Sequence, residues 1–174
     1  MRKFLIALSV VTLFIGAAHT AEAQSSKAPE GFWVGGGLHA YAGGWVAGGN
    51  PLGIRVEGGL PIGPVAIVLP LTIDARHGGK ILTIAPGVQY EYRFEQINMP
   101  GLLSIFGEAG LGFFTVHPHT RAGGLLRVNV GARYYMEKVR GLYFNLNPIG
   151  FSAFMRDHGG AAYEFMMGAG YRFE

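Results

Sequence analysis

The segment 125–136 has an apolar residue at every second position. One face carries Leu126, Val128, Val130, Ala132, Tyr134 and Met136. This repeat of two residues is the period of a β-strand, in which successive side chains point to opposite faces. Ordinary globular strands have about five or six residues, whereas a tilted strand that crosses a bilayer needs roughly 9–11. The segment therefore predicts a strand long enough to cross a membrane.

The same alternation recurs along the chain between short clusters of glycine, proline and polar residues. These clusters delimit eight candidate strands: 31–42, 53–60, 65–76, 81–94, 102–116, 125–136, 141–154 and 161–173. An even number of strands with short connections is typical of an up-and-down barrel. We therefore predict an all-β, eight-stranded antiparallel barrel. The alternation changes phase at Pro148, which predicts a β-bulge in the seventh strand.

Each predicted strand has one apolar face and one face that carries glycines and charges. The charged residues of the second face are Arg55, Glu57, Asp74, Arg76, Glu91, Arg93, Glu108, Arg127, Arg133, Glu164 and Arg172. Alternation alone does not say which face points outward. Lysine is absent from the predicted strands, although a water-exposed barrel surface normally carries many lysines. We therefore predict a transmembrane barrel with its apolar face toward lipid and its charges in the lumen.

Aromatic side chains near both ends of the apolar face support this orientation, because membrane barrels carry aromatic girdles at both interfaces. The predicted girdle residues are Tyr90, Tyr92, Phe94, Phe113, Tyr134, Phe144, Phe151, Tyr163, Tyr171 and Phe173. Charged residues make up only 14% of the chain, against roughly 25% in soluble domains. Glycine accounts for 29 of 174 residues, and we expect inward-facing glycines to make room for large neighbours.

The first residues have the composition of a secretory signal peptide. Arg2 and Lys3 precede an apolar stretch at 4–18, and Ala21-Glu22-Ala23 has the small-x-small pattern of a cleavage site. We expect cleavage before Gln24, which divides the chain into a signal peptide at 1–23, a polar lead-in at 24–30 and the barrel at 31–174. An uncleaved anchor is the alternative, but about fifteen apolar residues are short for a spanning helix.

Three further features argue against other classes. The predicted mature chain has 12 basic and 10 acidic residues, and this near balance does not indicate nucleic-acid binding. The chain has no cysteine, so disulfides and thiolate metal sites are excluded. No segment after the first residues has an apolar run of spanning length, which excludes a helical membrane protein.

Two motifs and the rhythm of the hairpins identify a family resemblance. The first strand contains Gly31-Phe32-Trp33-Val34-Gly35-Gly36-Gly37, and the last contains Gly168-Ala169-Gly170-Tyr171-Arg172-Phe173. The chain resembles the small eight-stranded outer-membrane barrels of Gram-negative bacteria, the OmpA/OmpX-type superfamily. Such barrels usually end on an aromatic residue, whereas here Glu174 follows Phe173.

The resemblance implies location in the outer membrane of a Gram-negative bacterium, with both termini in the periplasm. The loops after the odd-numbered strands would then face outside. It also implies contact with outer-membrane lipid and lipopolysaccharide, and recognition of the C-terminal strand by the barrel-assembly machinery.

The lumen charges have two interpretations, a charged pore or a packed polar plug. Eight strands enclose a space that side chains just fill, and each buried charge needs a partner, so we favour the plug. Hairpin symmetry about the loop 117–124 places Glu108 opposite Arg133, and we predict that they pair.

Other candidate chemistry is weaker. The histidines of the predicted outer loops are His77, His117, His119 and His158. A rim metal site is the sharper interpretation of this set, but we expect solvated histidines, with no metal and no cofactor. Gly150-Phe151-Ser152-Ala153-Phe154 lacks the second glycine of a nucleophile elbow. Ser152 and His158 are nonetheless the nearest candidates for a lipid A-modifying enzyme.

The sequence therefore predicts a monomeric, non-enzymatic outer-membrane barrel with a structural or surface-interaction role. A lipid A-modifying barrel enzyme and a narrow channel are the alternatives.

Overall fold

A computed structural model describes residues 31–43, 50–76, 79–94, 101–118, 121–155 and 160–173. Nine strand segments account for most of these residues: β1 Trp33–Ala42, β2 Leu52–Ile62, β3 Val65–Arg76, β4 Gly79–Ile84, β5 Gly87–Phe94, β6 Gly101–His117, β7 Arg121–Met136, β8 Leu142–Met155 and β9 Gly160–Arg172. Within these ranges no helix is long and apolar enough to cross a membrane. The predicted all-β class is confirmed.

The nine segments form an eight-stranded antiparallel barrel because β4 and β5 are two halves of one barrel strand. Both halves pair with β3 on one side and with β6 on the other. Ala85 and Pro86 separate the halves without opening the wall, since the Ala85 N–H donates to Pro70 O (3.3 Å) and Pro86 O accepts from the Leu111 N–H (3.0 Å). The first strand β1 pairs with β2 and with the last strand β9, which closes the barrel.

The bulge predicted at Pro148 is present. The register between β8 and β9 shifts between Asn147 and Gly150, and the β7–β8 register shifts at the same level. Pro148 and Ile149 are both exposed on the outer surface, whereas Asn147 and Gly150 on either side of them are buried. Two consecutive outward residues restore the alternation that Pro148 interrupts, so both halves of β8 keep their apolar side chains outside.

The longest hairpin extends farther toward its loop than the sequence predicts. β6 continues to His117 and β7 begins at Arg121, where the prediction ended one strand at 116 and began the next at 125. The ladder runs without a shift from the pair Gly101 and Met136 to the pair Val116 and Arg121. This register decides which lumen residues lie side by side.

The outer surface of the barrel is apolar, as the predicted orientation requires. Leu69 in the middle of β3 is 51% exposed and Phe113 near the loop end of β6 is 69% exposed. The aromatic residues predicted to form two girdles all lie on this outward face, and none is buried. A surface of this kind is stable only against lipid, because a soluble protein rarely exposes a large continuous apolar area.

Large side chains fill the lumen by lying on glycines of the neighbouring strand. The pairs are Trp33 on Gly59, Phe106 on Gly131, Phe114 on Gly123 and Tyr143 on Gly170. A Cβ added at Gly131 would lie 2.7 Å from the Phe106 ring, and one at Gly123 would lie 2.6 Å from the Phe114 ring. The expectation that inward glycines make room for large neighbours is confirmed.

Two apolar clusters occupy opposite ends of the lumen. The loop-end cluster lies on the side where β1 ends at Ala42 and β8 ends at Met155, and contains Tyr41, Ile81, Ala85, Phe114, Val116, Leu125, Phe154 and Ala162. The turn-end cluster lies on the side of the β2–β3 and β7–β8 turns, and contains Trp33, Ala66, Val68 and Tyr143. Most of the buried charged residues lie along their strands between these two clusters, whereas Arg172 lies over the Trp33 ring of the turn-end cluster.

The lipid-facing surface can be tested with one charge at its middle. We expect Leu69→Arg to lower the free energy of unfolding in phospholipid vesicles by about 2–4 kcal/mol, since arginine is costly at the bilayer midplane. Val139→Arg, at an exposed position of the β7–β8 turn, is the control and should cost no more than about 1 kcal/mol. Urea titration of both variants measures the difference, and equal costs would contradict the assignment of the outward face.

Candidate functional site: the charged lumen

The charged residues singled out from the sequence converge in the lumen. Nine of the eleven are buried: Arg55, Glu57, Asp74, Glu91, Glu108, Arg127, Arg133, Glu164 and Arg172. Arg93 is half-buried near the turn end, with its guanidinium 5.3 Å from the centre of the Tyr135 ring. Arg76 is the last residue of β3, and its side chain lies outside the described part of the structure.

Arg133 is the centre of the charged group near the turn end of the lumen. Its guanidinium reaches Glu91 Oε2 at 3.1 Å, Glu57 Oε1 at 3.2 Å and Gln89 Oε1 at 3.0 Å. The same group lies 4.9 Å from the centre of the Trp33 ring and 4.5 Å from that of Phe106. The carboxylates compensate the charge while the ring faces exclude water from it.

Glu91 joins a second arginine to this group. Its Oε2 accepts from Arg172 at 3.0 Å. Its Oε1 accepts from the hydroxyls of Ser104 at 2.6 Å and Tyr135 at 2.7 Å. Together with Arg133, four donors on three strands satisfy one buried carboxylate, which a buried charge requires.

Arg55 and Glu108 form the central ion pair. The Arg55 Nη2 donates to both carboxylate oxygens of Glu108, at 2.9 and 2.6 Å, and also lies 2.8 Å from Glu57 Oε2. Because Glu57 also binds Arg133, the central pair is continuous with the turn-side group.

Asn129 connects the central pair to the loop-side half. With its amide oriented to satisfy both neighbours, the nitrogen donates to Glu164 Oε2 at 3.0 Å and the oxygen accepts from Arg55 Nη1 at 3.1 Å. Asn129 and Glu164 lie in one row with Gly150 between them on β8. A Cβ at Gly150 would lie 2.7 Å from the Glu164 Cβ, so this glycine leaves room for the contact across the strand.

Glu164 is the centre of the loop-side half. It accepts from Arg127 Nε at 3.1 Å and from the Ser152 hydroxyl at 2.6 Å. Arg127 also donates to the hydroxyl oxygens of Thr83 at 3.2 Å and Tyr41 at 3.4 Å. The bonds from Tyr41 to Tyr135 therefore form one continuous polar network through the lumen.

The predicted pair between Glu108 and Arg133 is wrong. The register of β6 and β7 places Glu108 beside Asn129 and Arg133 beside Ser104. The prediction centred the hairpin on the midpoint of the loop 117–124, but the strands extend toward the loop and the true centre lies two residues earlier. Glu108 pairs with Arg55 of β2 instead, because side chains in a narrow lumen meet across the barrel as well as along one hairpin.

The network also contains neutral and histidine members that are not among the site residues predicted from the sequence. These are His39, Tyr41, Thr83, Gln89, Ser104, Asn129 and Tyr135. A signal for them was present, since each has the strand phase of a charged lumen residue or of Trp33. A prediction from charge does not identify uncharged hydrogen-bonding groups, although strand phase does.

Of the residues considered for catalysis or metal binding, the structure describes Ser152 and His117. Ser152 is buried in the lumen and donates to Glu164, which removes it from the lipid-facing surface. His117 is exposed at the loop end of β6, whereas His77, His119 and His158 lie outside the described residues. Among the described residues, no group of three or more histidine, aspartate or glutamate side chains could hold a metal ion.

The partner of Glu108 can be tested with double-mutant cycles. We expect Arg55→Met and Glu108→Gln to be coupled by about 1–3 kcal/mol, because the two side chains are in direct contact. The cycle of Arg133→Met with Glu108→Gln should give a smaller coupling, transmitted only through Glu57. Urea titrations of the single and double variants measure both values. An equal or larger coupling for the Arg133 cycle would contradict the observed pairing.

Comparison with solved structures identifies the fold. No protein-family model and no curated protein matches the sequence. The structure is similar to that of the Neisserial surface protein A, with a TM-score of 0.61 and 15% identity over 83% of this chain and 98% of the other. It is also similar to Ail of Yersinia pestis, at 0.50 and 17% over 83% and 100%, and to the N-terminal β-barrel domain of OprF of Pseudomonas aeruginosa, at 0.50 and 14% over 83% and 98%. The protein therefore has the fold of the small eight-stranded β-barrels of the Gram-negative outer membrane.

Proposed function

We propose that the protein is an integral outer-membrane barrel with a structural or surface-interaction role, whose lumen is a polar plug. The observation that carries this proposal is the mutual pairing of the lumen charges. Glu91 and Glu164 each accept from several donors. A site for a charged substrate needs groups that are free to bind it, whereas these groups are occupied by one another.

The filled lumen favours a plug over a channel. Arg55, Arg127 and Arg133 have at most 1% of their surface exposed. The loop-end cluster covers this layer on one side and the turn-end cluster on the other. An ion that passed through would have to displace both apolar clusters and separate buried ion pairs, and separation of such pairs is strongly unfavourable.

Planar bilayer recordings test the plug. We expect the purified barrel to give no steady single-channel conductance under conditions in which a general porin, as positive control, conducts. Steady conductance whose ion selectivity changes in the variant Arg127→Gln would contradict the plug, because the ions would then pass Arg127.

The aromatic residues at the end of the last strand favour its recognition by the barrel-assembly machinery. The Phe32 and Phe173 rings stack with their centres 4.5 Å apart, and Phe173 also packs on Tyr171 at 4.9 Å. The last strand therefore presents an aromatic group at the turn end, where the barrel-assembly machinery would recognise it. We place this end in the periplasm, with residues 1–23 removed after Ala23, and propose that the barrel is a monomer.

The opposite rim favours contact with lipopolysaccharide. Lys80 on β4 and His117 on β6 are exposed register neighbours at the loop end. Arg76 ends β3 and Arg121 begins β7, so four adjacent strands carry a basic or histidine residue at this rim. The apolar outer surface lies directly below. Basic residues at a rim above an apolar belt suit the phosphates and acyl chains of lipid A.

Lipid A with and without its phosphates tests this partner. We expect phosphorylated lipid A in vesicles to raise the urea midpoint of the barrel more than dephosphorylated lipid A does. The double variant Lys80→Gln/Arg121→Gln should lose most of this difference, at about 1 kcal/mol per cation. Lys138→Gln, exposed in a turn of the opposite rim, is the matched control and should retain it. Equal losses in the two variants would contradict a rim-specific contact.

A further inference from the structure

One histidine of the lumen has carboxylates on both sides of its ring. His39 on β1 is 1% exposed. Its Nδ1 lies 2.7 Å from Asp74 Oδ1, and its Nε2 lies 3.6 Å from Glu164 Oε1. A neutral imidazole has one N–H donor and one acceptor nitrogen, whereas a protonated ring has two donors. Carboxylate oxygens accept only, so two of them suit the protonated ring.

The backbone register brings these groups together. His39 lies beside Gly53 of β2, and Gly53 lies beside Asp74 of β3. A Cβ at Gly53 would lie 2.7 Å from Asp74 Oδ1. The glycine thus leaves the space through which Asp74 reaches His39 across the intervening strand. Glu164 comes from β9, on the other side of β1.

The charge balance of the lumen calls for a further cation at this place. Among the side chains that the structure describes, the buried arginines are Arg55, Arg127, Arg133 and Arg172, and the buried carboxylates are Glu57, Asp74, Glu91, Glu108 and Glu164. Within this set the arginines leave one carboxylate uncompensated. Among the described residues, His39 is the basic group recorded in an ion pair with Asp74. An unpaired buried carboxylate is costly, and an imidazolium removes the imbalance.

We propose that His39 is a buried imidazolium that bridges Asp74 and Glu164 and holds β1, β3 and β9 together at the loop-side half of the lumen. This goes beyond the polar plug, because it makes one half of the plug dependent on pH. The turn-side half, in which arginines compensate Glu57 and Glu91, has no such dependence.

The direction of the dependence follows from the groups around the ring. Those groups are Asp74 on β3, Glu164 on β9, Tyr41 on β1, whose ring centre lies 4.6 Å from that of His39, and Arg127 on β7, which binds Glu164 and Tyr41. At low pH the protonated ring donates from Nδ1 to Asp74, and its charge lies 3.6 Å from Glu164 Oε1. When the pH rises and one ring proton leaves, only one donor remains and Asp74 has no compensating charge. The ion pairs of His39 therefore stabilise the barrel at low pH, and this stabilisation is lost as the pH rises.

Nitrogen NMR of the histidine ring in detergent micelles reports its state directly. We expect both ring nitrogens of His39 to carry a proton at about pH 6, and the ring protons of exposed His117 to exchange rapidly with water. A single protonated nitrogen on His39 at that pH would overturn the proposal.

The contribution to stability is measured by urea midpoints from about pH 5 to about pH 9. The full-length mature barrel and the control His117→Gln should show a midpoint that falls as the pH rises. His39→Gln should start lower and lack most of this fall. Amide hydrogen exchange in β1, β3 and β9 should increase with pH in the wild type relative to that in β5, after correction for the intrinsic pH dependence of exchange.

A second variant separates charge from packing. Asp74→Asn combined with His39→Gln should recover part of the midpoint lost in His39→Gln, because it removes the uncompensated carboxylate. A loss without recovery, or a wild-type fall that persists in His39→Gln, would mean that the ring acts only by filling space and would overturn the proposal. Should His39→Gln fail to fold, Asp74→Asn alone decides the question, since it should abolish the fall in the same pH range.

Discussion

Closure of the backbone hydrogen bonds between β1 and β9 is the constraint on which the rest of this structure depends. A strand edge cannot remain unpaired in lipid, because no water is there to satisfy its N–H and C=O groups. The pairing of Trp33–Ala42 with both β2 and β9 removes the last edge. Once the barrel is closed, alternate side chains have only two environments. Apolar residues face lipid, and every other residue enters a narrow lumen.

The lumen then imposes a second constraint. Charges removed from water must find partners among the few side chains that share the same narrow space. Arginine suits this place, since one guanidinium donates to several groups and stacks on aromatic rings. Arg133 does both, with Glu57 and Glu91 on one side and Trp33 and Phe106 on the other. Glycines determine which side chains make contact across a strand. Gly53 and Gly150 each leave a gap through which side chains of the two flanking strands touch.

Local features of the strands were mostly predicted correctly, whereas contacts between strands were not. The phase change at Pro148 predicted the bulge, since parity is a local property of the strand. The fourth strand was predicted as one element, and its interruption at Ala85 and Pro86 was not foreseen. The predicted pairing of Glu108 with Arg133 is wrong because the register of a hairpin depends on where its strands end. His39 was overlooked because a histidine gains its significance from neighbours on β3 and β9 that lie far away in the sequence.

By itself, the sequence determined the fold class, the strand number and the side of each strand that faces lipid. The fold class follows from a period of two, the number of strands from the clusters of glycine, proline and polar residues between them, and the lipid-facing side from the absence of lysine in the strands and the aromatic residues near their ends. Each of these signals is contained in short stretches of chain. Only the tertiary structure decided which charges pair, that Asn129 joins the two halves of the network, and that His39 lies between Asp74 and Glu164. Such contacts depend on register and on reach across a closed lumen, to within an ångström. Alternation states which face a residue occupies and carries no information on its neighbours across the barrel.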